Sequence, residues 1–129
     1  MLKYFLFLFL IPFFIGEIDV PMEQAEESNS IFQNISVEGK KGEYVVTGEA
    51  RTREGVFFYT VEDGHYQYVD ETKVVTTEKS PDWSSFKINI KISRDKLPDN
   101  ATLILNLYER DEQGDIQNTL PVVLEMFYK

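Results

Sequence analysis

The chain reads as an all-β sandwich of about seven antiparallel strands, preceded by an N-terminal hydrophobic export segment. Three observations predict this. From about residue 31 apolar side chains recur with period two rather than 3.6, the signature of half-buried strands. Turn-forming clusters break that pattern at the intervals a sandwich of two sheets requires. The first sixteen residues, by contrast, are almost wholly apolar and run into an acidic stretch.

Met1-Leu2-Lys3 leads into an apolar run from Tyr4 to Gly16 that holds five of the chain's ten phenylalanines. The run is shorter than the roughly 20 residues a membrane span needs and matches the hydrophobic region of a signal peptide. Gly16 has bulky Phe14 two positions before it, and Ala25 has Glu23, so neither makes a good small-x-small cleavage site. Residues 1–16 are therefore expected to be a signal peptide or a short membrane anchor. Lys3 before the run, and Glu17, Asp19, Glu23, Glu26 and Glu27 after it, orient the rest of the chain outward in either case. Residues 17–30, acidic and aperiodic around Pro21, read as a flexible stalk, and 31–129 as the folded domain.

Within the domain, Ile31, Gln33, Ile35 and Val37 are expected to share a face of the first strand. Strands follow at 43–51, 55–63 and 66–77, rich in Tyr, Val, Phe and Thr. Phe86, Ile88, Ile90 and Ile92 then alternate with Lys87, Asn89, Lys91 and Ser93, which predicts one buried face and one wet face. Leu103, Leu105 and Leu107 repeat that alternation, and Leu120, Val122, Leu124 and Met126 form the last strand, where Pro121 signals an edge or bulge. Gly39-Lys40-Lys41-Gly42, Asp63-Gly64, Lys79-Ser80-Pro81-Asp82, Leu97-Pro98-Asp99-Asn100 and Gln113-Gly114-Asp115 are the turns.

Charge and composition narrow the function. The chain carries 22 acidic residues against 13 basic, a net −9, which repels nucleic-acid backbones. It has no cysteine, which excludes disulfides, thiolate metal sites, cysteine nucleophiles and a lipid-modified cysteine. His65, the single histidine, follows Asp63-Gly64 and is expected in a solvated hairpin turn. No nucleophile elbow or phosphate loop is present. Asp111-Glu112-Gln113-Gly114-Asp115 places acids around a turn glycine, but Leu120 stands where a calcium loop needs its last glutamate. Neither an enzyme nor a cofactor is expected. Asn34-Ile35-Ser36 and Asn100-Ala101-Thr102 match the glycosylation triplet.

The candidate binding residues are Glu49, Arg51, Phe58 and Trp83. Gly48 and Ala50 share a strand face and leave room for a bulky neighbour, for which Trp83 is the expected occupant at the open end of the core. Glu49 and Arg51 point the other way, placed to pair with each other or with a neighbouring strand.

The order Val46-Thr47-Gly48-Glu49-Ala50-Arg51, Val56-Phe57-Phe58-Tyr59, Asp63-Gly64, Pro81-Asp82-Trp83-Ser84-Ser85-Phe86, Leu103-Ile104-Leu105, Gln113-Gly114-Asp115 and Leu120-Pro121-Val122 resembles the immunoglobulin-like domain associated with bacterial spore germination proteins, over about residues 31–127. The chain departs from that family in lacking a lipoprotein cysteine and a companion germination domain, and in having Tyr59 after Phe58 where an acid is common. The resemblance implies an immunoglobulin-like sandwich acting as an extracytoplasmic binding or scaffold module, secreted or held at the outer face of the cytoplasmic membrane of a Gram-positive spore former. Its expected partner is an envelope or spore protein or a cell-wall polymer, with membrane contact only through residues 1–16. The alternative is a protease-inhibitor-like sandwich that offers a loop to an enzyme cleft.

Overall fold

The structure, a computed structural model, describes residues 28–128. The expected export segment and most of the stalk lie outside the described residues. Among the described residues seven strands run in order: β1 Phe32–Lys40, β2 Glu43–Ala50, β3 Val56–Glu62, β4 Gln67–Val75, β5 Ser84–Lys91, β6 Ala101–Arg110 and β7 Ile116–Phe127, with a 3-10 turn at Arg94–Lys96. They form a three-stranded sheet, β1-β2-β5, and a four-stranded sheet, β4-β3-β6-β7, with every pairing antiparallel. Two such sheets face to face, with the fourth strand in the sheet of the third, make the immunoglobulin-like sandwich. No helix among the described residues is long and apolar enough to cross a membrane.

Period two does its expected work in the middle strands. Phe86, Ile88 and Ile90 of β5 point inward beside Tyr44 and Val46 of β2, and meet Phe57, Val61, Leu103, Leu105 and Leu107 from the other sheet. Phe57 is the hub: its ring stands edge-on to Phe32 at 5.2 Å and to Phe86 at 5.0 Å. Edge-to-face rings at this spacing add to the burial each ring already gains. Pro121 lies on β7, an edge strand, as its missing N–H requires.

The first strand corrects its expected pattern. Ile31, Gln33, Ile35 and Val37 do not share a face along one regular strand. Asn34 takes a left-handed backbone, φ 57°, and the pairing with β2 shifts between Gln33 and Ser36. An extra residue reverses which side chains face in. Phe32 is therefore the buried residue before the bulge, Ile35 and Val37 pack on the core after it, and Gln33 turns outward.

Polar bonds tie the sheets together at the margin where β1 meets β7. The Tyr44 hydroxyl donates to Glu125 Oε1 at 2.6 Å, and the Lys41 N–H reaches the same oxygen at 2.8 Å. The β1–β2 turn packs so closely against the end of β5 that a Cβ on Gly42 would lie 2.3 Å from the Ile92 carbonyl oxygen. At the opposite end Glu109, only 8% exposed, accepts from the Arg53 N–H and the Asn118 side-chain amide, both at 2.9 Å, and so fastens the β2–β3 loop to β7.

Candidate binding face

The outer face of the four-stranded sheet carries the most organised set of side chains. Register sets Phe58 of β3 opposite Tyr108 of β6, Thr60 opposite Asn106, and Glu62 opposite Ile104. Between β3 and β4, Tyr59 pairs with Thr72 but Val61 with Val69, so Asp70 and Glu71 together stand against Thr60. That bulge brings Glu71 over β6, where its Oε2 accepts from the Tyr108 hydroxyl at 2.5 Å and from Arg110 Nε at 2.8 Å.

The aromatic centre is built under this ion pair. The Phe58 and Tyr108 rings are stacked, 24° apart with centroids at 6.1 Å, and the Arg110 guanidinium lies 5.8 Å from the Tyr108 ring centre. A second guanidinium nitrogen of Arg110 bonds the Gly114 carbonyl, which ties the β6–β7 turn to the cluster. Nearby, the Asn106 amide donates to Glu62 at 3.0 Å. Tyr108 is thus buried to 4% exposure on the solvent side of a sheet, and a shallow concavity of about 480 Å³ opens beside it, bounded by Thr60, Gln67, Ile116 and Thr119. Ile116 and Val123 flank this side with 52% and 39% exposure.

The hydrogen bond from Tyr108, together with Arg110, holds the Glu71 carboxyl below its usual range. Burial, reinforced by that carboxylate, pushes the Tyr108 phenol up to about 12. At neutral pH the face therefore has a fixed protonation pattern: a protonated phenol, a carboxylate and a guanidinium. The result is an apolar centre ringed by oriented donors and acceptors.

Of the four residues expected to bind, only Phe58 lies here. Glu49, Arg51 and Trp83 stand on the outer side of the opposite sheet. Glu49 Oε1 accepts from Gln33 at 2.8 Å and from Asn34 at 2.9 Å, and no ion pair joins it to Arg51 among the described residues. Arg51 instead lays its guanidinium 4.5 Å from the Trp83 ring centre and donates to the Ser30 carbonyl at 3.0 Å.

Trp83 itself is a correction. Ser84 and Phe86 point into the core, so the residue before them faces out, and Trp83 is half-buried beneath Arg51 rather than packed on Gly48 and Ala50. The space above Gly48 belongs to Ile35 and Phe86.

His65 lies exposed in the β3–β4 turn, as expected. That turn is closed by Asp63, whose Oδ1 accepts the His65 and Tyr66 N–H groups, each at 2.8 Å, while its Oδ2 accepts the Tyr68 hydroxyl at 2.6 Å. Asp111 closes the β6–β7 turn in the same way through the N–H groups of Gln113 and Asp115. Tyr108, Glu71 and Arg110 escaped the sequence reading. One signal was available: after Leu103, Leu105 and Leu107 the inward phase falls on Glu109, which marks the end of β6 as polar and places Tyr108 and Arg110 together on the outer side.

The described residues thus form an immunoglobulin-like sandwich with an ordered aromatic face on its four-stranded sheet. The family model for the immunoglobulin-like domain of bacterial spore germination matches residues 33–115, and the chain belongs to that family. No curated protein and no solved structure matches the chain. The match runs from β1 through β6 and so contains Phe58, Glu71, Tyr108 and Arg110.

Proposed function

We propose that this chain is a non-catalytic binding or scaffold module on the outer side of the cytoplasmic membrane of a spore-forming Gram-positive bacterium. It acts in sporulation or germination, and engages an envelope or spore protein through the outer face of its four-stranded sheet. One observation carries the reading: Phe58 and Tyr108 form a stacked, hydrogen-bonded aromatic centre where a solvated sheet face would ordinarily be polar throughout. Rigid aromatics with satisfied polar groups lose little conformational entropy on binding, and they recur at the energetic centres of interfaces. Family membership supports the link to germination. The Lys3 and apolar-run pattern of residues 1–16 supports export.

A photo-crosslinking side chain at Lys73, which is exposed and directly opposite Phe58, tests the reading. In envelope extract it should capture a discrete partner, and Phe58→Ala should abolish the capture. Capture that survives Phe58→Ala, or recovery of a protease through the 76–83 loop instead, would rule this face out as the binding surface.

A further inference from the structure

A second surface, on the opposite sheet, has its own logic. β5 is an edge strand, paired with β2 alone. The Ile92 N–H donates to the Gly42 carbonyl at 2.7 Å, and this sets the phase of the ladder. Opposed residues in an antiparallel pair alternate between those that exchange both backbone bonds and those that exchange neither. Counted in twos from Ile92, residues Ile90, Ile88, Phe86 and Ser84 bond to β2. Ser85, Lys87, Asn89 and Lys91 therefore direct their N–H and C=O groups to the open edge.

This edge is unusually regular for the molecule. The β2–β5 register runs unbroken from Glu43 opposite Lys91 to Ala50 opposite Ser84, whereas the β1–β2, β3–β4 and β6–β7 ladders all contain irregularities. A regular, unbulged edge is a template for an added strand. The same residues expose their side chains on the outer face of the sheet.

The charge on this edge says what kind of strand it accepts. Lys87 and Lys91 are the only charged residues of β5, in a chain of net charge −9. Glu43 stands across from Lys91 within the sheet, but Lys87 has only Thr47 opposite it. An antiparallel pairing of two copies of β5 about Asn89 would set lysine against lysine, and like charges directly opposite destabilise a sheet. We propose that the free edge of β5 takes an extended acidic segment of a partner protein as a fourth strand, with carboxylates four positions apart facing Lys87 and Lys91.

The test uses the full chain in detergent micelles and two synthetic peptides. One alternates threonine and valine with glutamates four positions apart, and the other has lysines in place of the glutamates. At saturation the glutamate peptide should slow amide exchange at Ser85, Lys87, Asn89 and Lys91 by roughly tenfold or more, with no such change at β4. The double variant K87E/K91E, altered only at exposed positions, should lose the glutamate peptide and bind the lysine peptide. Equal protection by both peptides, protection by neither, or protection that rises with chain concentration and no peptide at all, would each overturn the proposal. The last would make a second copy the occupant.

Discussion

The Tyr108 hydroxyl meets the Glu71 carboxylate at 2.5 Å on a sheet face turned toward solvent, and Tyr108 is nonetheless only 4% exposed. The β4 bulge makes this possible by carrying Glu71 across β3 to β6. Tyr108→Phe keeps the ring stack and removes the bond, leaving Arg110 as the carboxylate's partner. A charge-assisted bond at a partly exposed site is worth about 1 kcal/mol, and the variant should lose about that much at neutral pH. Glu71 has a depressed pKa in the folded chain. The stability it adds is present above the ordinary carboxylate range and is lost as pH falls through its lowered value. Denaturant midpoints at neutral pH and in acid should therefore lie closer together for Tyr108→Phe than for the parent chain.

The alkaline side has the opposite sign. Burial and carboxylate neighbours raise the phenols of Tyr44, Tyr68 and Tyr108, the last two to about 12. A raised pKa contributes stability that is complete below the unfolded value of about 10 and is lost as pH climbs through the folded value. Far-UV circular dichroism followed from neutral pH upward should show unfolding that begins above about pH 10. Tyr44→Phe, which frees Glu125 from its bond to β2, should flatten this dependence and cost about 1–2 kcal/mol at neutral pH.

Gly48 is a packing residue. A Cβ there would lie 2.5 Å from Ile35 Cδ1 and 2.9 Å from Phe86 Cζ, too close without movement of both side chains. Gly48→Ala should destabilise by about 1–3 kcal/mol, the usual cost of overpacking. Ile35→Val deletes the nearer atom, so the double variant should regain part of the loss in urea melts. Additive losses would mean that the Ile35 contact is not the cause.

Trp83 is the only tryptophan in the chain, so emission reports directly on its surroundings. Half-buried and covered by Arg51, it should cost about 1–2 kcal/mol on truncation to alanine, below the roughly 3–5 kcal/mol of a fully buried aromatic. Arg51→Ala should red-shift the emission with a small loss of stability. An unshifted spectrum would show that the guanidinium does not cover the ring in solution.

These residues also mark how far the sequence could be read. Period two located the middle strands, β2 to β6, to within about two residues, because inward Phe86, Ile88, Ile90 and the leucines of β6 leave no other period open, whereas β7 begins at Ile116, well before the expected Leu120. It failed at Asn34 and Asp70-Glu71, where a bulge adds a residue and changes which side chains meet, since nothing local in the polar runs Gln33-Asn34 and Asp70-Glu71 announces the shift. At Trp83 period two, counted from Phe86, already pointed outward. Packing it on Gly48 and Ala50 required a bulge or a later strand start, and Ser84, buried with its hydroxyl accepting the Thr77 N–H at 3.1 Å, continues the phase without one. Phe58 stands in the aromatic strand that carries the family resemblance, but its partners Tyr108, Glu71 and Arg110 come from two other strands, and only register brings them together.

The proposed binding surface is the face around Phe58 and Tyr108. An arginine at Thr60, in the middle of that face, and an arginine at Thr47, in the middle of the opposite sheet's outer face, test it side by side. Both variants should melt within about 1 kcal/mol of the parent, as surface changes do. With the crosslinker at Lys73, the Thr60→Arg chain should lose its envelope partner while the Thr47→Arg chain keeps it. Retention by Thr60→Arg with loss in Thr47→Arg would contradict the claim and move the binding surface to the three-stranded sheet.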